Sequence, residues 1–156
     1  MLTHIDKNGN AKMVDVSDKK SSFREASATG KIYITNEILE IISTGKNKKG
    51  DVLTIAQIAG IQAAKSTSNA IPLCHNISIS SASINFEIND SQKFIQATSF
   101  IKTQGNTGVE MEAIYSVTTA LITIYDMCKA VTHQMQISEI ELVSKKGGKR
   151  DFIKSD

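Results

Sequence analysis

Between residues 77 and 103, apolar and polar side chains alternate in two runs separated by Asn89-Asp90-Ser91. No other feature constrains the chain as much. Successive side chains of a strand point to opposite faces, so Ile84, Phe86 and Ile88 line one face and their polar neighbours the other. With turn residues between the runs, the pattern predicts an antiparallel hairpin. Ile77 and Ile79 alternate with serines out of phase with Ile84, and this phase change predicts a β-bulge between 79 and 84.

The flanking segments supply the layer that covers the apolar face. After the hairpin, Thr107-x-x-Glu110 reads as a capping box opening a long helix to about Val131, and a last strand runs from about Ile137 to Lys145. Before it, Lys31–Ile34 is a short strand. Thr35 caps a helix that reaches Thr44 and stops at Gly45, and Asp51 caps a second helix from Val52 to about Lys65. That second helix is apolar on most sides, as buried helices are. Pro72, the single proline, imposes an extended or turn geometry on Ile71. Residues 1–30 read largely as loop, and residues 146–156 as a mobile basic tail. The order strand, helices, strand, strand, helix, strand defines an α+β class. It predicts a ferredoxin-like βαββαβ with an extra helix, its antiparallel sheet packed against helices, in a single domain spanning 1–156.

Composition excludes several functions. The 156 residues carry 18 Lys and Arg against 16 Asp and Glu, and a net charge of +2 is too weak for nucleic acid as a general partner. No apolar run approaches a bilayer span, so no membrane is expected. The first residues lack the charged-then-apolar plan of a signal peptide, and two cysteines are too few for a disulfide framework, which together predict a cytoplasmic protein.

Candidate chemistry concentrates on the long helix. Glu112, Ser116, Thr119, Thr123 and Asp126 follow at spacings of three and four and form a polar stripe, which Lys129 extends. Asp126 and Lys129, three apart, can meet. The stripe reads either as a solvated face with an exposed ion pair or as an acid–base pair in the apolar setting of Ile124, Tyr125, Met127 and Cys128. Glu110 is accounted for by the capping box, and Met111 by core packing. Cys74-His75 lacks the partners of a zinc site, and adjacent side chains on an extended strand point apart, which disfavours a Cys–His nucleophile pair. His75 fits a hydrogen-bonding or acid–base group. No metal ligands and no cofactor are expected. Arg24, Lys46, Lys48 and Lys49, and then Lys145, Lys146, Lys149 and Arg150, cluster beside Gly50 and Gly147-Gly148. These basic loops suit phosphate if they converge and are solvated surface if they do not.

The segments Met13-Val-Asp-Val-Ser17, Lys49-Gly-Asp-Val52, Ala59-Gly-Ile-Gln-Ala-Ala-Lys65, Ile71-Pro-Leu-Cys-His75, Thr107-Gly-Val-Glu-Met-Glu-Ala113 and Tyr125-Asp-Met-Cys-Lys-Ala130 resemble the cyclic pyranopterin monophosphate synthase family over about residues 12–152. The resemblance implies a lyase of molybdenum-cofactor biosynthesis. Such an enzyme converts (8S)-3′,8-cyclo-7,8-dihydroguanosine 5′-triphosphate to cyclic pyranopterin monophosphate and releases pyrophosphate. It further implies that Asp126 and Lys129 are catalytic, and that Leu73, Cys74, His75, Met111 and Glu112 contact the substrate. Glu110, Lys49, Arg24 and Lys145 match further active-site positions. The implied assembly is a homohexamer, a trimer of dimers with sites at the dimer interface. Asn76 stands where the family pattern has proline, Ser22 where it has threonine, and Tyr115 replaces a smaller residue.

Three rival readings leave different marks, and one of them, a regulatory ligand-binding domain, needs no Asp126–Lys129 pair and shows no turnover. An RNA-recognition domain would show stacking aromatics on strands that here carry mainly Ile, Ser and Thr. A phosphatase would show a metal–carboxylate cluster. Helix geometry adds an expectation of its own. Glu112 and Asp126 are 14 residues apart on an unbroken helix, roughly 21 Å at 1.5 Å per residue, too far to meet at one small substrate. A site using both has to be shared between two subunits.

Overall fold

The computed structural model describes residues 4–45 and 50–155. Its elements are β1 (Ser22–Tyr33), α1 (Asn36–Thr44), α2 (Val52–Ala70), β2 (Ile79–Asn89), β3 (Phe94–Gly105), α3 (Glu110–Cys128), β4 (Gln136–Lys146) and β5 (Phe152–Ile153). The strands form one sheet in the order β2-β3-β1-β4-β5, and every neighbouring pair is antiparallel. Hence β1 and β2 are parallel with β3 between them, and β3 and β4 are parallel with β1 between them. Two β-α-β crossovers interleave, through α1 and α2 and through α3. This is the ferredoxin-like α+β arrangement with one extra helix.

Local chemistry accounts for most boundaries. Thr35 accepts a hydrogen bond from the Ile38 N–H, and Gly45, in the left-handed region, closes α1 onto the Ile41 and Ile42 carbonyls. Asp51 accepts from the Leu53 and Thr54 N–H groups and opens α2. The bulge in β2 falls where the alternation changes phase, as a register shift between Ile79 and Ser81.

α2 runs on to Ala70, past the expected end near Lys65, and α3 stops at Cys128, short of Val131; three further boundaries differ more sharply from the sequence reading. β1 starts at Ser22, inside the stretch expected as loop. Its inward residues Ala26, Ala28 and Gly30 are small because α3 lies close against them: a Cβ on Gly30 would stand 2.9 Å from Leu121 and Val117. The capping box of α3 does not form. Val109 is the N-cap, without a side-chain cap, and Thr107 lies upstream of it. Beyond Gly147 the chain turns back, and Phe152 and Ile153 pair with Lys145 and Ser144.

The core lies between the sheet and the helices, with Ile32, Ile84, Ile95, Ile101, Val117 and Leu121 fully buried. α2 and α3 cross at Gly60, where a Cβ would fall 2.0 Å from Ile84 Cδ1 and 2.8 Å from the Ser116 carbonyl oxygen. Only glycine lets the helices approach this closely over β2. The contact fixes the start of α3 relative to the strands around it.

Candidate active site

Two adjoining clefts open where the N-terminal segment, the end of β4 and the start of α3 meet. The first, about 220 Å³, brings Lys19, Arg24, Lys145, Lys146 and Lys149 together with the carboxylates Glu25 and Glu110. Of the basic residues singled out in the sequence, Arg24, Lys145, Lys146 and Lys149 therefore converge, Arg150 does not line the cleft, and Lys46, Lys48 and Lys49 lie outside the described residues. Arg24 donates from Nε to the Gly105 carbonyl at 3.0 Å and from Nη2 to the Asn106 carbonyl at 3.3 Å, which ties its guanidinium to the end of β3. Lys145 pairs with Glu110 at 2.9 Å and Lys146 with Glu25 at 3.5 Å. Five cations face two carboxylates, so the cleft is net positive.

The second cleft, about 390 Å³, is less polar. Leu73, Cys74 and His75, following the Pro72 turn, face Met111 and Glu112 of α3, and Val14 and Val16 of the N-terminal segment complete it. The chain from Cys74 to Ser78 is irregular, so the strand alternation expected to separate Cys74 from His75 does not apply and both line one cavity. His75 Nε2 lies 2.7 Å from the Val14 carbonyl. A carbonyl only accepts, so Nε2 donates its hydrogen to Val14 and Nδ1 is the ring nitrogen left to face a ligand. Burial pushes the Cys74 thiol up, with the Glu112 charge adding to the effect, so this sulfur is a protonated contact and not a ready nucleophile.

Glu112 is the most perturbed group. It is 3% exposed, and burial raises its pKa to about 7. The backbone N–H of Glu112 itself opposes that shift, and the Glu110 charge adds to it. A carboxyl poised near neutral pH can both give and take a proton. Glu110, freed from the capping role, sits between the two clefts: both are lined by Lys19, Thr107, Gly108 and Glu110.

The polar stripe of α3 divides. Glu112 and Ser116 are buried, Thr119 and Thr123 half-buried, and Asp126 exposed. Asp126 and Lys129 do pair, at 2.6 Å, with side chains 59% and 50% exposed, and the hydrogen bond that the Lys129 ammonium donates to Asp126 holds it above its usual pKa. They lie at the far end of the helix from both clefts. Lys49 lies outside the described residues. Sequence reasoning missed Lys19, Val14 and Val16, whose segment has no periodicity. The resemblance block at 13–17 was the one signal for Val14 and Val16, and Lys19 lies just beyond it. Among the described residues, no cluster of three or more His, Cys, Asp or Glu is placed to hold a metal ion, and no helix is long and apolar enough to cross a membrane.

Fold and clefts together define a ferredoxin-like α+β domain with a buried carboxyl and a histidine beside a cleft of net positive charge. The chain matches the MoaC family over residues 13–148. It is 55% identical over 148 residues to the cyclic pyranopterin monophosphate synthase of Thermoanaerobacter pseudethanolicus, covering 95% of this chain and 94% of that one. It is 51% identical over 149 residues to the enzyme of that name from Clostridium acetobutylicum, covering 96% and 92%. Molybdenum cofactor biosynthesis protein 1 of Drosophila melanogaster is 45% identical over 155 residues, which are 99% of this chain and 27% of that protein. The chain belongs to the MoaC family.

Proposed function

We propose that the protein is a lyase of molybdenum-cofactor biosynthesis, converting (8S)-3′,8-cyclo-7,8-dihydroguanosine 5′-triphosphate to cyclic pyranopterin monophosphate and pyrophosphate. The observation that carries the reading is that the two clefts adjoin, sharing Lys19, Thr107, Gly108 and Glu110 in their walls. A heterocycle bearing a triphosphate needs an acid–base cavity continuous with a cationic one, and Glu112 and His75 adjoin Arg24 and Lys145 in that way. In this reading Leu73, Cys74, His75, Met111 and Glu112 hold the ring system, while Arg24, Lys145 and Lys49 hold phosphates. Glu110 sets the orientation of Lys145, and Asp126 with Lys129 transfers protons during rearrangement. The test incubates the pure protein with the cyclised nucleotide and follows pyrophosphate and an oxidisable pterin. Absence of both from folded protein refutes the reading.

The active unit is a homo-oligomer, with the hexamer as a trimer of dimers. The support is geometric: Glu112 and Asp126 are separated along one unbroken helix by roughly 21 Å, so a partner has to bring the second pair to the clefts. Met111 and Ile122 lie on one side of that helix and are 37% and 53% exposed, an apolar stripe suited to a two-fold contact. The small number of cysteines and the nucleotide-derived substrate support a cytoplasmic location.

A further inference from the structure

We infer that Glu139, Lys31 and Tyr33 are positioning residues: together they lock the register of β4 from the outer face of the sheet and so decide which β4 side chain reaches the clefts. Only the kinetic consequence rests on the reaction proposed above. None of the three lines either cleft. β4 carries two residues more than β1 can pair. Tyr33, Ile32 and Lys31 face Gln136, Ile137 and Ser138, whereas Thr29 and Ala28 face Glu141 and Leu142, and Ser27 and Ala26 face Ser144 and Lys145. Glu139 and Ile140 thus oppose Gly30 alone, and Val143 is the second extra residue.

The first bulge is held against a local preference. Glu139 has φ 55°, a left-handed backbone that side chains other than glycine disfavour. Lys31 Nζ donates to its Oε2 at 2.6 Å and the Tyr33 hydroxyl donates to its Oε1 at 2.7 Å, so β1 grips both carboxylate oxygens. Phe94 of β3 braces the pair: the ammonium lies 4.7 Å from its ring centroid, and the Tyr33 ring meets it edge to face at 5.6 Å. On the inner face Ile140 closes over Gly30, where a Cβ would stand 3.0 Å from Ile140 Cγ1. A strand has a period of two, so one extra residue turns over every side chain beyond it. With residues 136–138 kept in place and the first extra residue removed, Glu141 moves opposite Ala28, onto the core face that Leu142 fills. Ser144 then replaces Lys145 opposite Ala26, and Lys145 turns to the outer face, away from Glu110.

The test separates the bulge from the carboxylate that holds it. Glu139→Gly removes the carboxylate but accepts the left-handed backbone freely, whereas Glu139→Val removes it and rejects that backbone. Two quantities are measured on the intact protein: kcat/KM for the cyclised triphosphate, and amide hydrogen exchange along β4, resolved by residue with NMR. Glu139→Val is expected to lower kcat/KM by roughly 10–100-fold and to move the alternation of protected amides beyond residue 139 by one position. Glu139→Gly is expected to stay within about twofold of wild type with its protection pattern unchanged. The double variant Lys31→Met/Tyr33→Phe should lose activity, and adding Glu139→Gly should restore it. The inference is overturned if Glu139→Val keeps either the wild-type kcat/KM or the wild-type protection pattern. It is also overturned if glycine and valine lose activity equally, which assigns the effect to the carboxylate. Should Glu139→Val fail to fold, the double variant decides, and a loss that Glu139→Gly does not restore overturns the inference. Absence of turnover in wild-type protein refutes the proposed reaction, while the protection pattern still decides the register lock.

Discussion

The two ends of α3 present a carboxylate under opposite conditions. At the start of the helix Glu112 is enclosed by Cys74, His75 and the crossing of α2, and desolvation holds its proton to near neutrality. Near the other end Asp126 stands in solvent and engages Lys129 at 2.6 Å. Burial tunes the first, and a charged partner occupies the second. A single chain therefore carries both kinds of acid–base group without bringing them to one point. If both act in the proposed reaction, the helix separates two groups that the assembly has to reunite.

The largest expected effect comes from the exposed end. Asp126→Asn should lower kcat by roughly a thousandfold or more, while the melting temperature moves little because the pair is solvated. A variant with near-normal turnover would remove Asp126 from the chemistry and leave the buried end to act alone. Subunit mixing then tests whether the ends meet across an interface. Glu112→Ala and Asp126→Ala, unfolded together and refolded, should recover about a quarter of wild-type activity. Random pairing makes about half the dimers mixed, and each mixed dimer has one intact site of two. A mixture as inactive as its parents, with mixed dimers shown to form, places each site within one chain.

A smaller effect concerns stability at the buried end. The folded state raises the Glu112 pKa from 4.5 to about 7, so it favours the protonated form. Below pH 4.5 both states hold the proton and burial imposes no titration penalty. As pH rises from 4.5 through 7 the unfolded chain releases its proton first, and stability falls, fully so above 7. Glu112→Gln should therefore stabilise the protein at pH 8 by on the order of 2–3 kcal/mol and scarcely at pH 4, read from denaturant unfolding at both values. An equal change at both would assign the effect to packing. Smallest of all, Thr107→Ala should alter stability by less than about 0.5 kcal/mol, since Thr107 caps nothing, against about 1 kcal/mol for a working cap.

The Thr107 case marks where the sequence stops being readable. Thr107-Gly-Val-Glu110 has the spacing of a capping box, yet the backbone enters the helix at Val109, and the Glu110 carboxylate folds over Gly108 towards Lys145. A local motif cannot report that a strand from the far end of the chain supplies a better partner. The first half of β1 was hidden for a related reason: Ala26, Ala28 and Gly30 face inward because of how closely α3 approaches, so they give no apolar alternation. The hairpin, its bulge, the caps of α1 and α2, and the pairing of Asp126 with Lys129 were legible because each depends on neighbours in sequence. The convergence of Arg24 with Lys145 was not, since only the sheet register brings Glu25 opposite Lys146.

The interleaved crossovers also order events during synthesis. β1 is the first strand made and lies in the middle of the sheet, yet its two neighbours are β3 and β4, at residues 94–105 and 136–146. A nascent chain emerging from the ribosome holds β1 with both edges unpaired until most of the sequence has been translated. The sheet therefore closes only after β4 has been made, and chains terminated before β3 expose a strand with nothing to pair with, a substrate for chaperones or for aggregation.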